Sequence, residues 1–250
     1  MWHSVLRINL GTCFAVAILT CGNPVFADGG AKPPGPDCVI LLHGLLRTSS
    51  SMKDMEEKLT NDGYHVVNDS YPSREHPIEE LAPLAIEAGL EACGELKGRQ
   101  QVHFVTHSLG GILVRYYFAD HDFKRLGRVV MLAPPNQGSE AADDLGGIPG
   151  FDLLNGPAGS QLGKGVESVP LQLDSPDFEF AVIAGDRSID PITSAVLPNP
   201  DDGKVSVADT KLEGMSDFAL VNVSHAYIMQ NDEVIEMVRR FLKTGQLEET

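Results

Sequence analysis

The chain has 250 residues, 42% of them hydrophobic and 22% charged. This length and balance suit one large α/β domain with a substantial core and do not suit a disordered chain. Asp and Glu outnumber Lys and Arg by 35 to 19, a net charge of −16; that excess excludes the basic footprint nucleic acid requires, opposes binding to anionic lipid headgroups, and reads as a solubility feature.

Met1–Arg7 carries Arg7 and no acid, Ile8–Leu19 is largely apolar, and Val25-Phe26-Ala27 offers residues a signal peptidase accepts. The pattern predicts a signal peptide over 1–27 and a flexible Pro/Gly-rich leader over 28–37. The apolar run is about a dozen residues, short of the ~20 that span a bilayer. The expectation is therefore an exported protein, periplasmic or secreted, with no stable membrane anchor. Thr20 before Cys21 fits a lipoprotein signal poorly. Cleavage leaves Cys38 and Cys93, which are expected to pair in an oxidising compartment. Cys38 opens the first strand, and Cys93 lies near the end of a helix returning to the start of another. In a parallel sheet those positions share the edge opposite the ligand-binding one.

Cys38–Leu42 is a continuous apolar run, as in a strand buried on both faces. Met52–Leu59 reads as helix, stopping near Asn61-Asp62-Gly63, and Tyr64–Val67 as the second strand. A helix follows over Ile78–Leu96, with Leu81, Leu84, Ala85 and Ala88 on one face. Val102–Thr106 is the third strand, leading into a helix from Leu109 to about Asp120. Arg128–Leu132, Phe178–Ala184 and Phe218–Val223 are the fourth, fifth and sixth strands, and Asp232–Leu242 is the closing helix. Alternation of this kind predicts an α/β fold, a doubly wound and mostly parallel sheet of about six strands within residues 38–250. Two stretches break the rhythm: residues 136–175, expected to form a small lid, and Asp186–Gly203, a long loop of the kind that carries function.

Ligands of open parallel sheets bind at the carboxyl ends of strands, where the reactive residues of this chain also fall. Thr106-His107-Ser108-Leu109-Gly110-Gly111 sits where the third strand becomes a helix, a turn that would expose the Ser108 hydroxyl as a nucleophile at a helix N-terminus. Leu42-His43-Gly44-Leu45-Leu46 follows the first strand. The N–H of Leu45 and that of Leu109 are the two candidate donors to an oxyanion. A serine nucleophile needs a base and an acid to orient it. His225, in Val223-Ser224-His225-Ala226, is the histidine that follows a late strand; His121 is expected to be exposed, and His43 and His107 to be structural. Asp186, Asp190, Asp201 and Asp202 all compete for the acid. Asp202 precedes a short apolar hook, Lys204-Val205-Ser206-Val207, and is favoured, with Asp190 and Asp186 as alternatives.

Together these segments resemble the α/β-hydrolase superfamily, in particular its secreted bacterial lipase and esterase-like branch. The likeness is carried by Val39–Arg47 (VILLHGLLR), Phe104–Leu113 (FVTHSLGGIL), Val130–Ser139 (VMLAPPNQGS), Asp202–Val207 (DGKVSV) and Val223–Met229 (VSHAYIM). Thr106 stands where a glycine is common in the family. The resemblance implies a Ser108–Asp202–His225 triad, an oxyanion hole at Leu45 and Leu109, and an acyl-enzyme route that cleaves a small-molecule or lipid ester. No metal or organic cofactor is implied. Leu45, Leu46 and Tyr71 are expected to line an apolar acyl site, with Phe151–Leu154 covering it and Arg47 and Arg115 near its mouth. The same triad would also serve an acyltransferase or thioesterase. A reading from another class is a silent hydrolase fold acting as a periplasmic binding protein, whose mark would be a broken triad.

Overall fold

In the computed structural model, the chain divides into two units, Met1–Pro33 and Pro34–Thr250. Apart from Met1, the structure describes residues 35–142 and 151–249, with the side chains of 151–154 excepted. The signal peptide expected over 1–27 and most of the leader over 28–37 lie outside the described residues.

The apolar run Cys38–Leu42 forms β1, buried at every position. A short 3-10 turn at Ser49–Met52 leads into α1 (Lys53–Asn61), and β2 (His65–Val67) follows. Next come α2 (Ile78–Cys93), β3 (Val102–His107), α3 (Leu109–Asp120) and β4 (Leu126–Leu132). Beyond residue 150 lie α4 (Phe151–Ser160), α5 (Val169–Gln172), β5 (Phe180–Gly185), α6 (Pro191–Ser194), α7 (Val207–Thr210), β6 (Asp217–Val221) and α8 (Asp232–Thr244). All six expected strands form. Helix α2 ends three residues earlier than expected, where Gly94 adopts φ 69°. The small helices α6 and α7 stand in stretches expected to be irregular, because Asp190 and Ser206 each accept a backbone N–H and cap them.

The strands form one parallel sheet in the order β2-β1-β3-β4-β5-β6. Alternation along each strand divides the apolar side chains between two cores. Ile40, Leu42, Phe104, Met131 and Val182 pack with Leu81 and Ile86 of α2 and with Ile112 and Leu113 of α3. Val39, Leu41, Val105, Val130 and Ile183 pack on the other face with Met55 and Leu59 of α1 and Val234, Val238 and Phe241 of α8. With helices on both faces, the central strands are buried on both sides, which is why β1 and β5 read as continuous apolar runs with no polar alternation. This is the α/β-hydrolase fold. A disulfide joins Cys38 at the start of β1 to Cys93 at the end of α2 (Cα–Cα 5.9 Å), the pairing expected from their shared edge.

From β1 the chain moves outward to β2, then returns to the other side of β1 to form β3. The winding therefore reverses between β1 and β3, which leaves a crevice beyond their carboxyl ends. His43-Gly44-Leu45 and Ser108 emerge there.

Candidate active site

Ser108 has φ 51° and ψ −117°, a conformation that side-chain-bearing residues seldom adopt and that functional sites retain at a cost of about 1–3 kcal/mol. The sheet enforces it: Ser108 N donates to Leu132 O at 2.9 Å, and α3 starts at the next residue. The hydroxyl does not cap α3 and has no hydrogen-bond partner among the described residues. Gly110 lets the turn close, since a Cβ there would lie 2.7 Å from Leu42 O. Thr106, in place of the common glycine, is fully buried, and its hydroxyl reaches Val130 O at 3.4 Å. Room for it comes from Gly111 across the turn, whose Cβ would sit 3.3 Å from Thr106 Oγ1.

The loop after β1 is fixed by His43 and Tyr71. Their rings stack at 4.1 Å and 10°. Tyr71 N donates to His43 Nε2 at 3.2 Å, and Tyr71 Oη donates to His43 O at 2.5 Å. With Nε2 accepting, Nδ1–H donates to Gly44 O at 2.9 Å, and burial lowers the His43 pKa, keeping the ring neutral. The N–H groups of Leu45 and Leu109 have no hydrogen-bond acceptor among the described residues. One follows this braced loop and the other opens α3.

Of the four competing acids, the fold brings Asp202 to His225. Asp202 Oδ2 accepts from His225 Nδ1 at 2.8 Å, and its Oδ1 accepts from Lys204 N at 2.9 Å and Val205 N at 2.8 Å. The backbones are also joined, His225 N donating to Asp202 O at 3.0 Å. Gly185 at the end of β5 allows this approach; a Cβ there would meet Val223 O at 2.3 Å and Asp202 Cβ at 3.0 Å. The other acids are engaged elsewhere. Asp190 caps α6 and pairs with Lys204 Nζ at 3.0 Å, which pulls its carboxyl pKa down to about 2. Asp186 accepts from Asn222, and Asp201 from Gly203 N and Ser194 Oγ.

His107, expected to be structural, is buried and bonded to the backbone at His225. Its Nε2–H donates to His225 O at 3.1 Å, the two rings lie 4.7 Å apart, and Nδ1 is buried without a partner among the described residues. Burial, with the nearby His225 and Arg47, holds its pKa well below the usual imidazole value. His121 is exposed and donates back to Tyr117 O.

Ser108 and His225 line one cavity of about 450 Å³, with Leu45, Leu46, Ala142, Leu162 and Val205 among its apolar walls. Two expectations need correction. Tyr71 does not line this cavity: its ring is spent on His43, so it supports the site from beneath. Arg115 is not at the mouth but buried, its guanidinium donating to Asn136 O and Oδ1, Pro170 O and Leu173 O. Burial brings its pKa down to about 10. Arg47 does line the cavity. Within the stretch 136–175, Ser139, Ala141, Ala142, Asn155, Gly159 and Leu162 supply wall. Residues 143–150 and the side chains of Phe151–Leu154 lie outside the described residues.

No family model matches this chain, and no curated relative matches it by sequence. Solved structures do match by fold. The mature lipase BlEst2 of Bacillus licheniformis superposes with a TM-score of 0.63 at 19% identity, covering 86% of this chain and 94% of that one. Phospholipase PlaB of Legionella pneumophila gives 0.62 at 22% identity, over 76% of this chain and 53% of that one. The metagenomic carboxyl esterase MGS0156 gives 0.60 at 18%, over 80% and 69%. At these identities the likeness establishes the α/β-hydrolase fold, shared with bacterial lipases and esterases.

Proposed function

We propose that this protein is a serine hydrolase of carboxylic esters, with Ser108 as nucleophile, His225 as base, Asp202 as the orienting acid, and the N–H groups of Leu45 and Leu109 as oxyanion donors. The observation that carries this reading is the 2.8 Å bond from His225 Nδ1 to Asp202, formed where His225 lines the same cavity as a serine held at positive φ. With Nδ1–H donating to the carboxylate, Nε2 keeps the free lone pair a general base needs. Nε2 takes the proton as Ser108 Oγ attacks the carbonyl. It then delivers that proton to the departing alcohol, and a water activated by the same nitrogen releases the acyl group. Among the described residues the Ser108 hydroxyl has no hydrogen-bond partner; the reading requires its bond to Nε2 to form when substrate fills the cavity, as catalytic hydrogen bonds commonly do. The names of the structural neighbours, a lipase, a phospholipase and a carboxyl esterase, support the same class.

Labelling by a fluorophosphonate probe tests the reading: the wild type labels, Ser108→Ala does not, and His225→Ala labels at least a hundredfold more slowly. A folded wild type that fails to label would identify a silent hydrolase fold instead. Product analysis with a short p-nitrophenyl ester and added alcohol separates hydrolysis from acyl transfer. We further propose export to the periplasm or medium with removal of residues 1–27. The Cys38–Cys93 bond supports an oxidising compartment, and N-terminal sequencing of the exported protein tests the cleavage point.

A further inference from the structure

Among the described residues, the cavity is lined against the charge of the chain. Over the whole protein acids exceed bases by 35 to 19, yet the described lining residues include Arg47 and Lys204 and no Asp or Glu. The two cations are not equivalent. Lys204 Nζ lies 3.0 Å from Asp190 and is neutralised there. Arg47 is half-buried and has no carboxylate partner among the described residues; its one side-chain bond is from Nη2 to Ala226 O at 3.4 Å. A guanidinium has five N–H donors in a planar fork suited to the paired oxygens of phosphate or carboxylate, and most of this fork is unused. A guanidinium that lines the same cavity as Ser108, with most of its donors unused among the described residues, is available to a ligand oxyanion.

Position adds direction. Ala226 directly follows His225, so the guanidinium is tied to the histidine side of the cavity. His225 Nε2 must reach the oxygen of the departing alcohol, which places the leaving group on that side. The acyl group is left to the apolar lining of Ala141, Ala142 and Leu162. Resting on the hydrolase reading above, we propose that the substrate is an ester whose alcohol portion carries an anionic oxyanion, a phosphate or a carboxylate, which Arg47 binds.

The test compares matched esters of one acyl group. Butyryl glycerol 3-phosphate is set against monobutyrin, and the butyryl ester of lactate against the same ester of methyl lactate. The readout is the ratio of kcat/KM for the anionic over the neutral member. The wild type is expected to favour the anionic member at least tenfold, Arg47→Gln to lower that ratio at least tenfold, and Arg47→Lys to keep part of it. A shift in the phosphate pair alone identifies phosphate as the anion, and a shift in both identifies oxyanions generally. A ratio identical in wild type and Arg47→Gln overturns the proposal, including when both rates fall together because Arg47 only positions Ala226. Calorimetric titration of Ser108→Ala with glycerol 3-phosphate and with lactate, with and without Arg47→Gln, needs no turnover. Failure to cleave any ester would therefore count against the hydrolase reading, while loss or persistence of anion binding would still decide the role of Arg47.

Discussion

Asp202 and His225, 23 positions apart, are joined twice, by a side-chain bond of 2.8 Å and a backbone bond of 3.0 Å from His225 N to Asp202 O. The second bond fixes the imidazole's distance from the carboxylate, and the N–H groups of Lys204 and Val205 fix the carboxylate's rotation. Asp202→Asn keeps the shape but can present an N–H to Nδ1 and select the wrong tautomer, at a cost of up to about 10⁴-fold in comparable triads. Fluorophosphonate labelling of Asp202→Asn should therefore slow by at least a hundredfold, whereas Asp186→Asn and Asp190→Asn stay within a few-fold of wild type. Wild-type labelling of Asp202→Asn would remove it from the proposed triad.

Backbone strain at Ser108 gives a stability prediction independent of chemistry. Glycine tolerates φ 51° and alanine does not. Ser108→Gly should be more stable than Ser108→Ala by about 1–2 kcal/mol in urea unfolding, with both unlabelled. Equal stability would show that the turn holds no strain.

Gly110→Ala would push a Cβ to 2.7 Å from a backbone oxygen, that of Leu42, which cannot swing away. A loss of about 1–3 kcal/mol is expected, as for other overpacked sites, together with slower labelling because the displaced turn carries Ser108. An unchanged melting temperature would argue against this packing.

The Cys38–Cys93 bond closes a 55-residue separation at the edge of the sheet away from the cavity. Its removal by the double Ser variant should cost about 3–4 kcal/mol, chiefly through the freed unfolded chain, while labelling at 20 °C remains near wild type. A labelling defect without a stability loss would contradict a structural role.

Acid should weaken the fold before any carboxylate titrates. His43, His103 and His107 are buried, and burial lowers the pKa of each in the folded state. Above about pH 6.5 they are neutral whether folded or not. Below it the unfolded chain takes up protons that the folded chain refuses, so stability falls with falling pH, by up to about 1.4 kcal/mol per pH unit for each histidine. The urea midpoint should be flat from pH 8 to 7 and lower at pH 5.5. A midpoint unchanged at pH 5.5 would mean that these rings protonate in place.

The amino-acid sequence by itself determined the sheet, because strands covered on both faces are predominantly apolar and such runs recur between helical patterns from Cys38 to Val221. It also determined Ser108 and His225 as candidates, since each follows a strand at a turn whose chemistry is local. Only the tertiary structure decided which acid meets the imidazole. Asp186, Asp190, Asp201 and Asp202 share one loop and one residue type, and what separates them is the close approach that Gly185 permits between Asp202 and Val223. The same holds for Tyr71, Arg115 and Arg47. A Tyr and an Arg near a site look alike in a string of letters whether they face solvent, substrate or another side chain. The stacking of Tyr71 on His43, the enclosure of Arg115 among backbone carbonyls and the unpaired charge of Arg47 are all set by residues distant in the chain.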